Sequence, residues 1–354
     1  HPDIALSYSN IGSTYNDLGD FNKALEYFQK SLQIREKIYQ ENHPLIANSY
    51  NKIGAAYDSL GEFSKALEYY RKSLQIYEKE FEKNQPDIAT SYNNIGLTYY
   101  SLGKYNKALE YYQKSLKIRE KIYQENHHLI ANSYNNIGAA YDSLGDYKTA
   151  LEYNQKALKI REQIFQDHPD IAISYNNIGA AYDCLGEHYT ALEYHQKSLQ
   201  ISEKLFQEDH PDIALSYNNI GMVYNSLGEY NTALEYSLKS LRIREKIFQK
   251  YHPDIALSYN NIGTIYHNLR EFSKSVENYL KSLEIHEKIY QEDHPDFEYL
   301  YLNIGTSYSC LGESNKAEEY YDKYFQIREK NNQEYVVISD VVMSNDNDET
   351  ADNS

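Results

Sequence analysis

Three sets of residues in the chain carry side chains that could do chemistry. Histidine recurs at His1, His43, His127, His168, His210, His252 and His294. Imidazole is a common metal ligand, but ligands that share an ion must all lie within about 2.0–2.1 Å of it. These histidines sit on separate loops about one structural repeat apart. No metal is expected; a role in starting helices and packing loops is. Asp183, Cys184 and His188 have the composition of a thiol triad. Neighbours at a helix end do not converge on one reacting atom, so no catalysis is expected and the chain reads as non-enzymatic. The third set is asparagine, which stands in doublets such as Asn93 with Asn94 and Asn135 with Asn136. Each amide both donates and accepts, so it can hold the backbone N–H and C=O of an extended peptide without reading its sequence. With no Gly-rich phosphate loop present, no cofactor is expected.

The elements that position these residues follow from a repeat. The segment H-P-D-I-A recurs with small changes at residues 1, 43, 85, 127, 168, 210, 252 and 294, at intervals of 42, 42, 42, 41, 42, 42 and 42. A fixed period of this strength marks a repeat architecture. Repeats two and four share L-I-A-N-S-Y and G-A-A-Y-D-S-L-G, as if a two-repeat unit had been duplicated. In the first repeat Ile4, Tyr8, Ile11, Gly12, Tyr15 and Leu18 fall at steps of three and four and line one helix stripe. Pro2 and Asp3 suit the first turn of that helix, and Gly19 suits its end. A second stripe runs through Phe21, Ala24, Leu25, Phe28, Leu32 and Ile38, so each repeat is two antiparallel helices. The Tyr stripes are core, and the E/K/R pattern around R-E-K is a solvated outer face with salt-bridge pairs.

Composition narrows the function. Hydrophobic residues make up 41% of the chain, charged residues 25%, and Tyr alone counts 40, enough for a packed core. The formal charge of −17 opposes nucleic acid and anionic membrane as partners. With no apolar run that could span a bilayer and no signal peptide, the expected location is cytoplasmic. Cys184 and Cys310 stand 126 residues apart, too far along a stack for a disulfide, and read as free thiols in a reducing compartment. The chain opens at His1, inside the recurring signature, so the natural protein is expected to extend further towards its N-terminus.

The pattern Tyr8-x2-Ile11-Gly12-x2-Tyr15 followed by Ala24-x3-Phe28 resembles the tetratricopeptide repeat, with Tyr for its Trp and Ile for its Leu. The 42-residue unit, with S-Y-N-N-I-G in its first helix and K-S-L-x-I-R-E-K closing its second, is similar to the repeats of kinesin light chains and nephrocystin-3-like proteins. The heptad coiled coil that precedes the repeats of a kinesin light chain is not found in this sequence. The resemblance implies an all-α, right-handed α-solenoid (superhelix) of eight tetratricopeptide helix-turn-helix repeats over residues 1–334, with a cap remnant and acidic disordered tail over 335–354. Gly12 and Ala24 would lie where the two helices cross, and Tyr15 and Phe28, with equivalents such as Tyr141, would fill space between successive repeats. In such arrays the first helices line the concave face. That implies a peptide-binding groove bearing Asn10, Asn51, Lys52, Asn93, Asn94, Asn135, Asn136, Asn176, Asn177, Asn218, Asn219, Asn260, Asn261 and Asn303.

Asparagine is a poor choice for an exposed helix face, where Ala, Glu or Lys would serve better, and this favours a binding role. Specificity is expected from Ser13, Asn16, Asp17, Asp58, Asp142, Asp183, Met222, Asn225, His267 and Cys310. With Lys52 the only cation expected in the groove, the partner is a protein or peptide segment of neutral or basic character. The expected function is a protein-interaction scaffold or adaptor. Alternatives are a regulatory or sensor array of a larger multidomain enzyme, such as an NTPase or transferase, and a structural spacer or self-association module. Local departures are Arg270 at a turn that elsewhere carries Gly, a loop one residue shorter before His168, and a divergent eighth repeat with Phe297, Glu298, Tyr299 and Leu302, as a capping repeat requires.

Overall fold

A computed structural model of the chain describes residues 1–79, 81–290 and 294–330; the expected cap remnant and tail at 335–354 lie outside them. Among the described residues every regular element is a helix. The chain divides into two compact units, His1–Leu185 and Gly186–Ser354. The first unit holds α1 (Pro2–Asp17), α2 (Phe21–Ile38), α3 (Pro44–Ser59), α4 (Phe63–Glu78), α5 (Phe81–Ser101), α6 (Tyr105–Ile122), α7 (His128–Ser143), α8 (Tyr147–Ile164) and α9 (Pro169–Cys184). The second holds α10 (His188–Leu205), α11 (Pro211–Ser226), α12 (Tyr230–Ile247), α13 (Pro253–Asn268), α14 (Phe272–Ile289), α15 (Asp296–Cys310) and α16 (residues 314–330). Odd-numbered helices are the first of each repeat. In each unit successive repeats stack, which makes the fold an all-α repeat solenoid.

The recurring histidine is a helix cap. Nδ1 of His1, His43, His127, His168, His210, His252 and His294 accepts the backbone N–H two residues on, at 3.1 to 3.4 Å. Beyond the first repeat, the ring also stacks on an aromatic residue that closes the preceding helix, with centroids 3.6 to 4.1 Å apart, as in Tyr39 with His43 and Phe206 with His210. The short loop before His168 keeps the stack, on Phe165. A protonated ring has no lone pair to accept with, so the cap requires neutral imidazole.

Burial, then the neighbouring His128 and Arg119, hold the His127 pKa below its ordinary value. The unfolded chain therefore binds more protons, and this contribution to stability is present above the ordinary histidine pKa of about 6.5 and lost as the pH falls. The melting temperature is expected to drop between pH 7.5 and 5.5, and His127→Asn, whose amide oxygen caps without titrating, to drop less. Equal losses in both proteins would remove the cap from the account.

Each first helix ends at a glycine with φ between 69° and 80°, except where Arg270 stands at φ 60°. A residue with a Cβ pays about 1–2 kcal/mol there. Arg270→Gly is expected to stabilise the second unit by about 1 kcal/mol in urea unfolding. Repeat three differs at its start. Asn84, at φ −109° and ψ 15°, kinks α5, and its amide donates to the Tyr77 carbonyl at 3.1 Å.

Inside a repeat the two helices cross at the expected glycine. A Cβ on Gly12 would lie 2.6 Å from the Phe28 ring, and one on Gly96 2.6 Å from Tyr112. Repeat six puts Ser237 at the aromatic position, and its Oγ is buried without a partner. The stripe tyrosines behave differently from the expectation for Tyr15 and Tyr141. Tyr15 stacks on Tyr27 at 5.6 Å and Tyr141 on Tyr153 at 5.8 Å, each on the second helix of its own repeat. Their rings thus clasp a pair of helices, with a lysine above each clasp, such as Lys30 at 4.9 Å from Tyr27. Between repeats, isoleucines supply much of the seal. Ile46, Ile53, Ile88 and Ile95 are at most 2% exposed, whereas Ile4 and Ile11, with no described repeat before them, are 49% and 39% exposed.

Candidate functional site

The first helices keep one open strip each. In α7 it runs through Asn132, Asn135, Asn136, Ala139 and Asp142, all half-buried, while the flanking Ile130, Ile137 and Ala140 are buried. Adjacent strips are tied to each other by asparagine. Asn136 Nδ2 donates to Asn93 Oδ1 at 3.0 Å, Asn177 Nδ2 to Asn135 Oδ1 at 2.9 Å, and in the second unit Asn261 Nδ2 to Asn218 Oδ1 at 2.9 Å. Asn51 Nδ2 reaches Ser91 Oγ at 3.2 Å. The second residue of one doublet thus bonds the first residue of the preceding doublet. The ladder is a row of inter-repeat struts, leaving for a ligand only the amide atoms that the struts do not use.

The remaining doublet positions vary. Asn10 is exposed; Asn94, Asn219, Asn260 and Asn303 are half-buried; Asn176 is buried. Lys52 turns back into the stack. Its Nζ donates to Ser9 Oγ at 2.9 Å and to the expected specificity residue Ser13 at 3.0 Å. Burial, then Arg35, lowers its pKa. Asp58 and Asp142 are half-buried, and burial raises the pKa of both, which weakens their claim to a cation. Asn225 accepts from Asn268 at 2.9 Å, His267 Nδ1 lies 3.0 Å from Ser307 Oγ, Met222 and Asp183 are half-buried, and Asp17 and Cys310 are exposed. Asn16 Oδ1 is buried without a partner.

One expectation is corrected outright. The R-E-K pattern reads as solvated, yet Arg35, Arg119, Arg161 and Arg244 are 3 to 5% exposed. Each crosses to the first helix of the next repeat. Arg119 Nη1 donates to the Leu129 carbonyl at 3.1 Å and to Ser133 Oγ at 2.8 Å, and Arg244 repeats this on Asp254 and Ser258. Arg161 makes the fullest set: Nη1 to the Asp170 carbonyl at 3.0 Å, Ser174 Oγ at 2.7 Å and Asn135 Oδ1 at 3.4 Å, and Nη2 to Asn132 Oδ1 at 3.1 Å. The reason is length. The second helix stays packed against the following repeat through its last turn, so one side chain per turn faces a protein wall there.

Four matches to the tetratricopeptide repeat model cover residues 3–79, 87–163, 170–246 and 254–330, each taking in two 42-residue units. The chain belongs to the tetratricopeptide repeat family. No curated protein matches it in sequence. Among solved structures it is similar to a Rap protein complexed with competence and sporulation factor, at 15% identity and a TM-score of 0.60, over 93% of this chain and 99% of that one. It is similar to a signal transduction ATPase with numerous domains and a tetratricopeptide repeat sensor from Pyrococcus horikoshii, at 17% identity and 0.63, over 91% of this chain and 47% of that one. BtubC (BKLC) from P. vanneervenii shares 20% identity and a TM-score of 0.52, over 65% of this chain and 90% of that one. At these identities the likeness is one of fold.

In this tetratricopeptide array the strip also holds residues that the sequence reading left out. The position three or four residues before each amide carries Asn48, Thr90 and Asn132 in repeats two to four, but Leu6 in repeat one and Ile173, Leu215, Leu257 and Tyr299 in repeats five to eight. The last four are exposed, Tyr299 by 72%. The change from polar to apolar at one repeat position was the available signal. Cys184 is a free cysteine whose thiol pKa is pushed up by partial burial, then by the Asp142 carboxylate, the opposite of an activated nucleophile. Among the described residues no group of three His, Cys, Asp or Glu is placed to hold a metal ion, and no helix is long and apolar enough to cross a membrane.

Proposed function

We propose that the protein is a non-catalytic interaction scaffold that holds a protein segment on the face of its first helices. The observation that carries this reading is the exposed apolar residue once per repeat in the second unit, Leu215, Leu257 and Tyr299, on a face that also carries the asparagine amides. Exposed apolar side chains rimmed by polar groups mark binding surfaces. The amide atoms left over from the struts, on Asn219, Asn260 and Asn303 above all, supply donors and acceptors for a peptide backbone. A segment of neutral or basic character fits, since Lys52 is turned inward and the chain carries −17 overall. A cytoplasmic setting suits the two free thiols.

The test is a quantitative pull-down with wild type and with Leu215→Ser/Leu257→Ser/Tyr299→Ser, circular dichroism confirming helix content. Loss of the wild-type partners from the variant supports the reading. Retention of the same partners overturns it and moves binding to another face, as a spacer or self-association module would have it.

A further inference from the structure

The joint between repeats seven and eight lacks the arginine that fills four of its six counterparts. Arg161 lies among Asn132, Asn135, Asp170 and Ser174, which accept from both terminal nitrogens of its guanidinium. One period series on, the same five places carry His286, Leu257, Asn260, Asp296 and Leu300. The shorter imidazole does not refill the space, and an open cavity of about 440 Å³ stands there, lined by these residues together with Asp254 and Tyr299. At the joint after repeat two the place is taken by buried Tyr77, and at the joint after repeat five by buried Ser202.

The walls of this cavity still suit a guanidinium. His286 Nδ1 lies 2.8 Å from the Ser282 carbonyl and donates to it, which in the neutral ring leaves the lone pair on Nε2. That Nε2 lies 3.8 Å from Asp296 Oδ2, so with a neutral ring two acceptors face one another. Asp254 adds a second carboxylate, and the described lining holds neither Lys nor Arg. The planar fork of arginine meets carboxylate, amide and imidazole acceptors together, which an ammonium matches poorly. The open side gives onto Leu257 and Tyr299, the exposed face of the first helices.

We propose that this cavity receives the guanidinium of an arginine on the bound partner segment, replacing from outside the side chain that four of the other joints supply from within. The inference rests on the first-helix face being the binding face. It is tested without any partner, so the two fail separately. The full chain is titrated with N-acetyl-arginine amide and with N-acetyl-citrulline amide, its neutral isostere, at matched ionic strength, following the His286 ring and Asn260 side-chain amide signals by NMR.

Saturable shifts with the arginine compound, and at least tenfold weaker response to citrulline, are expected. His286→Arg/Leu300→Ser, which restores an internal guanidinium and its hydroxyl acceptor, should abolish them. Asp296→Asn, a change at a half-exposed carboxylate, should weaken them at least tenfold and serves if the double variant misfolds. Equal response to both compounds, shifts that never saturate, or undiminished binding by a folded variant would overturn the proposal.

Discussion

Tyr112→Ala is expected to destabilise the first unit by about 3–5 kcal/mol, the range for emptying a large aromatic site in a core. Tyr112 is 1% exposed, and its ring is pressed onto Gly96, where a Cβ would come within 2.6 Å. The ring fills the crossing of α5 and α6 and belongs to a cluster that also takes in Ile95, Ile130 and Ile137, so its removal opens a cavity with rigid walls. Tyr141→Ala is the matched control. That ring is half-buried and stacks on Tyr153 at 5.8 Å, so about 1–2 kcal/mol is expected from lost area and ring contact. Urea unfolding gives the totals, and hydrogen exchange locates them. Unchanged protection of α5 and α6 in Tyr112→Ala, or equal losses in the two variants, would show the crossing to be wrongly assigned.

Arg161→Ala should weaken the joint between repeats four and five by about 3 kcal/mol. The change removes a long buried side chain, worth about 2–5 kcal/mol when truncated to alanine, and deprives Asn132 Oδ1 and Ser174 Oγ of a charged donor. The Asp170 carboxylate, 3.9 Å from Nε, is 31% exposed and stays solvated, so no orphaned charge adds to the loss. Arg161→Lys should recover little, because one ammonium does not reach four acceptors set out for a planar fork. The readout is exchange protection in α8 and α9. A lysine variant as protected as wild type would mean that charge alone holds the joint.

These effects separate what was legible in the residues from what was not. The histidine at seven of the eight repeat starts could be read as a helix-start residue, because Pro follows at once in all but one of them and the cap bond spans only two residues. Gly12 and Ala24 could be placed at the helix crossing, because their spacing is that of facing positions in a hairpin of helices, whereas Phe28, expected between repeats, presses its ring onto Gly12. The asparagine doublets could be placed on the first-helix face, but not their bonds, since Asn136 and Asn93 are 43 residues apart and meet only when repeats stack. Arg161 shows the same limit. In sequence it sits in a charged run like any solvated one, and nothing within its own helix says that Asn132 and Ser174 will close around it.

The sequence by itself determined the helical hairpin, its period of 42 residues, its caps and turns, and the tetratricopeptide class, because each of these follows from interactions within one repeat. Tertiary structure alone decided which arginines are buried, which amides are engaged and which strip remains open. A helix in a stack has three protein flanks: its own partner, the repeat before and the repeat after. Periodicity fixes the angle of a side chain about its own axis; only the stacking of neighbours fixes what lies opposite.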